Sequence, residues 1–92
     1  MMKKITEIEA KNLAEENKQN GCVIEYIGVE DVPYKHAAQE YKVFPDELKN
    51  KKVYSFHELD KYGAASSQYY IDFEGNVYRD TLPINNQCVK IK

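Results

Sequence analysis

The sequence is short of several residue types, and each scarcity excludes a class of protein. It has no Trp, two Cys, four Gly and three Pro among its 92 residues. Two cysteines without a CxxC motif are too few to cross-link a small secreted domain, so we expect free thiols in a reducing, cytoplasmic compartment. The four glycines are isolated from one another and form no phosphate-binding loop. The sequence therefore predicts neither a disulfide scaffold nor a nucleotide site.

Arginine and long hydrophobic runs are also scarce. Arg79 is the sole arginine among thirteen basic residues, and the formal net charge is -2. Nucleic-acid recognition relies on guanidinium groups and a basic surface, so nucleic-acid binding is not expected, although the basic run over residues 49–52 keeps it as an alternative. No apolar run approaches the roughly 18 residues of a membrane span, and no signal-peptide pattern follows the N-terminal lysines. We expect no membrane association.

What the chain does contain is typical of one folded domain spanning residues 1–92. Hydrophobic residues make up 42% and charged residues 30% of the sequence, a balance that disfavours intrinsic disorder. The length suits a single compact domain. The succession of elements predicts an α+β fold: an antiparallel or mixed sheet of about four strands, with two principal helices and one short helix.

Capping residues and helical spacing place the two principal helices. Thr6 and Glu9 form a T-x-x-E capping box, and Gly21 is a left-handed stop for a helix over residues 7–20. An apolar stripe at i, i+3, i+4 and i+7 predicts the second helix over residues 33–42. The members of this stripe are Tyr34, Ala37, Ala38 and Tyr41.

Three further segments complete the predicted fold. Ser55 and Glu58 form a second capping box, which predicts a short helix that ends at Gly63. The apolar, β-branched run over residues 22–29 suits a strand buried on both faces, and we place it at the centre of the sheet. Residues 88–92 alternate as a terminal strand. Its inward side chains are expected to be those of Val89 and Ile91.

The clearest local signal is a β-hairpin over residues 69–79. Asp72 and Gly75 occupy the first and fourth positions of a type I turn, so a three-residue loop with a left-handed Gly75 follows. The predicted cross-strand pairs are Asp72 with Asn76, Ile71 with Val77, Tyr70 with Tyr78 and Tyr69 with Arg79. One face of the hairpin then carries Tyr69, Ile71 and Val77, and the other carries Tyr70, Asp72, Tyr78 and Asp80.

The sequence shows no constellation that predicts catalysis or metal binding. His36 and Glu40 have a spacing that metal sites use, but a third ligand is missing nearby, and His57 is read as exposed. Cys22 lies in an apolar strand, where burial disfavours the reactive thiolate. The acidic hairpin loop fails the register of a calcium loop. We predict no catalytic residue, no metal and no cofactor, with an enzyme or small-ligand-binding oligomer of unrecognised pocket as an alternative.

The aromatic residues supply the remaining functional signal, because tyrosine gives a large contact area at low entropy cost in interfaces. The predicted partner-binding residues are those on the polar face and tip of the hairpin: Tyr70, Asp72, Phe73, Glu74, Tyr78 and Asp80. That face is either open or covered by another element, and the sequence does not decide between the two.

These features favour a small non-enzymatic protein-binding module. A stoichiometric inhibitor or adaptor of the phage or mobile-element type, for example one acting against a host defence complex, matches a small domain without catalytic residues. Its expected partner is a protein, and homo-oligomerisation is compatible with the sequence.

Overall fold

The architecture is an antiparallel five-stranded meander with one α-helix packed on it. The computed structural model describes residues 4–32, 44–48, 50–81 and 88–92. The elements in chain order are α1 (Glu7–Asn17), β1 (Val23–Asp31), a 3-10 turn (Asp46–Leu48), β2 (Lys52–Leu59), β3 (Ala65–Asp72), β4 (Val77–Thr81) and β5 (Cys88–Lys90). The strand order is β1-β2-β3-β4-β5, with each strand antiparallel to the next. This is a single small α+β domain.

Helix α1 begins at the predicted capping box. The Glu9 amide donates to Thr6 Oγ1 at 3.1 Å, and the Thr6 amide donates to Glu9 Oε1 at 2.9 Å. Ala10 and Ala14 are fully buried against the sheet, where α1 packs on β1, β2 and β3. The helix ends at Asn17, before the predicted residue 20. Its small buried residues let the helix backbone lie close to the strands.

One α-helix, rather than two principal helices, lies within the part of the chain that the structure describes. The helix predicted over residues 33–42, with its apolar stripe and with His36 and Glu40, lies outside that part. After the undescribed residues the chain forms the 3-10 turn Asp46–Leu48, and Phe44 and Leu48 are buried. No helix among the described residues is long and apolar enough to cross a membrane.

The short helix predicted after Ser55 is wrong, since Ser55 and Glu58 both lie in strand β2. The strand pairs with β1 on one side and with β3 on the other. Tyr54 and Phe56 alternate with Val53, so both faces of β2 carry buried apolar side chains. Burial of this alternating set in two cores outweighs the local S-x-x-E capping preference, which is worth about 1 kcal/mol.

Strand β1 lies at the edge of the sheet, which overturns its predicted central position. Ile24 is buried, whereas Val23, Ile27 and Val29 are all exposed. The run is apolar on both faces, as a central strand would be, but only one face of β1 is packed over most of its length. An uninterrupted apolar run thus identified a strand without identifying its place in the sheet.

The sheet separates two hydrophobic cores. On the face covered by α1, the helix-face core comprises Ala10, Ala14, Ile24, Tyr54, Phe56, Tyr69, Ile71 and Val77. On the opposite face, the second-face core comprises Val32, Phe44, Leu48, Val53, Tyr70, Tyr78 and Cys88. Both faces of the central strands are therefore buried, although α1 covers one face only.

The terminal strand β5 has the opposite orientation to the predicted one. Cys88 is buried in the second-face core, whereas Val89 and Ile91 are exposed. Val89 lies opposite Arg79, on the helix side of the sheet. Helix α1 packs on β1, β2 and β3, so β5 lies beyond its reach and the alternating pattern is buried on the other face.

Candidate functional site

The predicted hairpin is confirmed together with its register. Ile71 lies opposite Val77 and Tyr70 opposite Tyr78. The Gly75 amide donates to the Asp72 carbonyl at 3.1 Å, and Gly75 has a φ of 94°, a left-handed conformation that glycine adopts without a steric penalty. Local turn chemistry therefore fixes which side chains share each face of the hairpin.

Most of the predicted partner-binding residues are nevertheless buried, so an open aromatic patch does not exist at this hairpin. Tyr70 and Asp80 are 0% exposed, and Asp72 and Tyr78 are 1% exposed. The Phe44 ring packs edge-on to the Tyr70 ring at 5.6 Å between centroids. The second-face core covers the polar side of the hairpin, because the segment that carries Phe44 and Leu48 packs there. Burial also raises the pKa of the Tyr78 hydroxyl to about 12.

The hairpin tip packs against the N-terminal segment. The Phe73 ring lies 5.0 Å from the Tyr54 ring and 4.1 Å from the Lys4 ammonium. The Ile5 amide donates to the Phe73 carbonyl at 2.9 Å. Glu74, which follows Phe73 in the turn, is exposed. Of the six predicted residues, Phe73 and Glu74 are thus the ones that reach solvent, and Phe73 does so only in part.

The Asp72 carboxylate holds the turn together through hydrogen bonds. Its carboxylate accepts hydrogen bonds from the amides of Glu74 and Asn76 at 3.0 and 2.9 Å, and from Asn76 Nδ2 at 2.9 Å. Burial opposes ionisation of Asp72, but these bonds and the Lys51 ammonium outweigh it, so its pKa is below the ordinary value. Asp72, one of the predicted partner-binding residues, thus holds its own loop through these contacts.

A buried polar network lies at the other end of the helix-face core. Glu58 is 0% exposed and accepts a hydrogen bond from the Tyr69 hydroxyl at 2.7 Å. Arg79 lies 3.5 Å from the second Glu58 oxygen and donates to Ser67 Oγ at 3.0 Å. Burial is the main cause that raises the pKa of the Tyr69 hydroxyl, and the Glu58 carboxylate raises it further. Sequence reasoning missed this network because Glu58 was assigned to a helix cap.

The network also anchors the end of α1 to the sheet. The Tyr69 hydroxyl lies 3.0 Å from the Asn17 carbonyl, and the Gln19 amide lies 3.4 Å from Glu58 Oε1. The first contact satisfies a carbonyl that the helix C-terminus leaves without an intrahelical partner, and the second holds the segment that follows the helix. We therefore assign the network a structural role.

The exposed aliphatic side chains of β1 form a row along the strand, with Val23 and Val29 on opposite faces of the sheet. Val23 is 58% exposed, Ile27 42% and Val29 49%. A β-bulge between Tyr26 and Gly28 shifts the register, and Gly28 has a φ of 143°. Within the described residues β1 pairs with β2 alone. We call this feature the β1 edge: the outer side of Val23–Asp31 with its exposed aliphatic residues.

Acidic residues accompany the aliphatic ones on the β1 edge. Glu25, Glu30 and Asp31 lie in the strand, which contains no basic residue. Glu25 lies 4.0 Å from His57 Nδ1 on β2, and Asp31 lies 3.1 Å from the Lys52 ammonium. The strand therefore presents aliphatic and anionic groups side by side.

The other side chains that could bind a metal or act as nucleophiles are dispersed over the described residues. No cluster of three or more His, Cys, Asp and Glu side chains that could hold a metal ion occurs among the described residues. Cys22 and Cys88 are not joined in a disulfide, in agreement with the prediction. His57 has a side-chain exposure of 31%, so it is half-buried and not fully exposed as the sequence suggested.

Comparison with protein-family models, with curated proteins and with solved structures found no match for this chain.

Proposed function

We propose that the protein is a small non-enzymatic binding module, and that it binds an extended segment of a partner protein along the β1 edge. The single observation that carries this proposal is that a long strand, Val23–Asp31, pairs on one side within the described residues and exposes three aliphatic side chains on the faces of the sheet. A stoichiometric inhibitor or an adaptor can work through a surface of this kind.

The backbone supplies the first part of the binding energy. An edge strand presents N–H and C=O groups that can pair with another extended chain, a recognition mode known as strand addition. Nine residues of β1 extend over roughly 30 Å. A partner segment of similar length would complete the ladder as a sixth strand.

The side chains supply the second part. Val23, Ile27 and Val29 are each about half exposed, and full burial of an aliphatic side chain is worth about 1.5–3 kcal/mol. Covering the exposed half of all three would contribute roughly 2–4 kcal/mol. Natural edge strands usually avoid such a row, because it invites association.

A second copy of the chain is not the occupant that we propose. Pairing two β1 strands would bring Glu25, Glu30 and Asp31 of each copy into one ribbon with no basic residue in either strand. Like charges that lie across from each other destabilise a strand pair. A heterologous partner without these acids avoids this repulsion.

Panning a displayed library of short random peptides on the immobilised protein tests the proposal. The edge variant V23Q/I27Q/V29Q removes the aliphatic row, and V89Q on the opposite edge strand is the matched control because Val89 is 45% exposed. We expect enriched peptides that bind wild type and V89Q alike but bind the edge variant at least tenfold more weakly. Thermal melts should show all three proteins folded, since surface changes are nearly neutral.

Hydrogen exchange gives a second readout on the same samples. An enriched peptide should slow amide exchange within β1, because its backbone pairs with the strand. The proposal would be overturned if no peptide is enriched, or if the enriched peptides bind the edge variant as tightly as they bind wild type.

A further inference from the structure

Acidic residues surround the β1 edge from two elements. Glu25, Glu30 and Asp31 lie along the strand itself. From α1, the Glu7 carboxylate lies beside the Tyr26 hydroxyl, and together with burial, which is the larger cause, it raises the pKa of that hydroxyl. A strand that docks here would therefore meet negative charge over most of its length.

The cations near Glu25 and Asp31 leave these two carboxylates open to a partner. Lys52 and Asp31 contact each other at 3.1 Å with side-chain exposures of 64% and 67%, and Glu25 remains 56% exposed beside His57. Exposed ion pairs of this type are weak, and their partners exchange easily. Either carboxylate can therefore accept a basic side chain from an added strand.

We infer that the occupant of the β1 edge is a basic extended segment that carries aliphatic residues and Lys or Arg on both of its faces. The inference rests on the proposed strand addition and names the class of partner that fits it. The register places Val23 and Glu25 on one face of the sheet and Val29 and Asp31 on the other. Each face of the segment would therefore carry both an aliphatic side chain and a cation. The Glu25 and Asp31 carboxylates lie roughly 20 Å apart along the strand, so cations are needed near both ends of the segment.

Charge complementarity makes this class of partner specific. An acidic segment would meet like charge along the whole edge, whereas a neutral one would lack the attraction that steers association. Exposed charges act over about 10 Å at moderate salt, so the preference for cations should weaken as salt is added.

Three synthetic peptides of the same length as β1 test the inference. All three repeat two Val and then two polar residues, which places both kinds of side chain on each face of the strand. The polar residue is Lys in the first, Gln in the second and Glu in the third. At about 50 mM salt we expect the Lys peptide to bind about tenfold more tightly than the Gln peptide, and the Glu peptide to bind most weakly. At about 500 mM salt the Lys and Gln peptides should converge.

Two charge variants locate the effect on the protein. E25Q/D31N should bring binding of the Lys peptide close to that of the Gln peptide. E16Q/E47Q removes the same number of exposed carboxylates away from β1 and should leave the tenfold preference intact. A preference that survives E25Q/D31N would overturn the inference, because it would reflect net charge alone.

The two proposals fail in distinguishable ways. Equal binding of the Lys and Gln peptides, lost in both cases with V23Q/I27Q/V29Q, would refute the basic partner and keep strand addition. If the peptides bind V23Q/I27Q/V29Q as tightly as wild type, or do not bind at all, strand addition and the basic partner are both refuted.

Discussion

Replacing Tyr78 with Ala distinguishes a buried hairpin face from a binding face. Tyr78 is 1% exposed in the second-face core and lies opposite Tyr70 on β3. Tyr62, in the loop between β2 and β3, is 81% exposed and provides a control with the same side chain. The pair of variants Y78A and Y62A therefore makes one chemical change in two environments.

The expected magnitude follows from the burial. Truncation of a fully buried aromatic side chain costs about 3–5 kcal/mol, because the removed surface and the residual cavity both contribute. A chain of 92 residues has a total free energy of unfolding of roughly 5–14 kcal/mol. Y78A should thus remove a large fraction of the free energy of unfolding. Y62A should change the free energy of unfolding by about 0.5 kcal/mol or less.

Urea denaturation and thermal melts measure both variants on the same scale. Each kcal/mol shifts the melting temperature of a domain of this size by about 4–8 °C, so Y78A should melt roughly 12–40 °C below wild type and Y62A should melt with it. A Y78A midpoint that stays with the wild type, at unchanged m-value, would show that the second-face core does not bury this ring. The hairpin would then regain its place as a candidate interface.

Three other predictions test the networks that hold the domain together. E58Q leaves Arg79 without its buried counter-ion and should cost about 2–4 kcal/mol of unfolding free energy by urea titration, whereas E58Q/R79M should recover part of this loss; equal losses in the two variants would contradict the ion pair. Thr6→Ala should cost about 0.5–2 kcal/mol through loss of the capping box, with Thr6→Ser close to wild type in the same titration. Because the Tyr78 pKa rises from 10.0 in the unfolded chain to about 12 in the fold, its neutral hydroxyl stabilises the fold fully below pH 10, and this contribution should fade as pH rises towards 12. Denaturation midpoints measured across that window should fall more steeply for wild type than for Y78F, and parallel curves would contradict the assignment.

The exposed aliphatic row and the acids of β1 have opposite effects on association. Val23, Ile27 and Val29 favour any added strand, whereas Glu25 and Asp31 oppose addition of a strand with the same charge. In the proposed strand addition, this combination would disfavour self-association and favour a basic partner. Selectivity would then come from repulsion as well as from attraction.

The sequence by itself determined the features that depend on residues close in the chain. Thr6 and Glu9 are one helical turn apart, so the start of α1 follows from their mutual hydrogen bonds. Asp72 and Gly75 fix a tight turn, and a turn of known length fixes the register of both flanking strands. The cross-strand pairs of the hairpin could therefore be predicted from a few consecutive residues.

Only the tertiary structure decided which surfaces are buried and where each strand lies. Glu58 is a buried strand residue because β2 pairs with a strand on each side, and that gain exceeds a local capping preference. Tyr70 and Tyr78 lost their exposure because Phe44, far away in sequence, packs on them. Val29 kept its exposure because strand order placed β1 at an edge. Burial and strand order depend on contacts between distant segments, and a local pattern of apolar residues is the same whichever segment covers it.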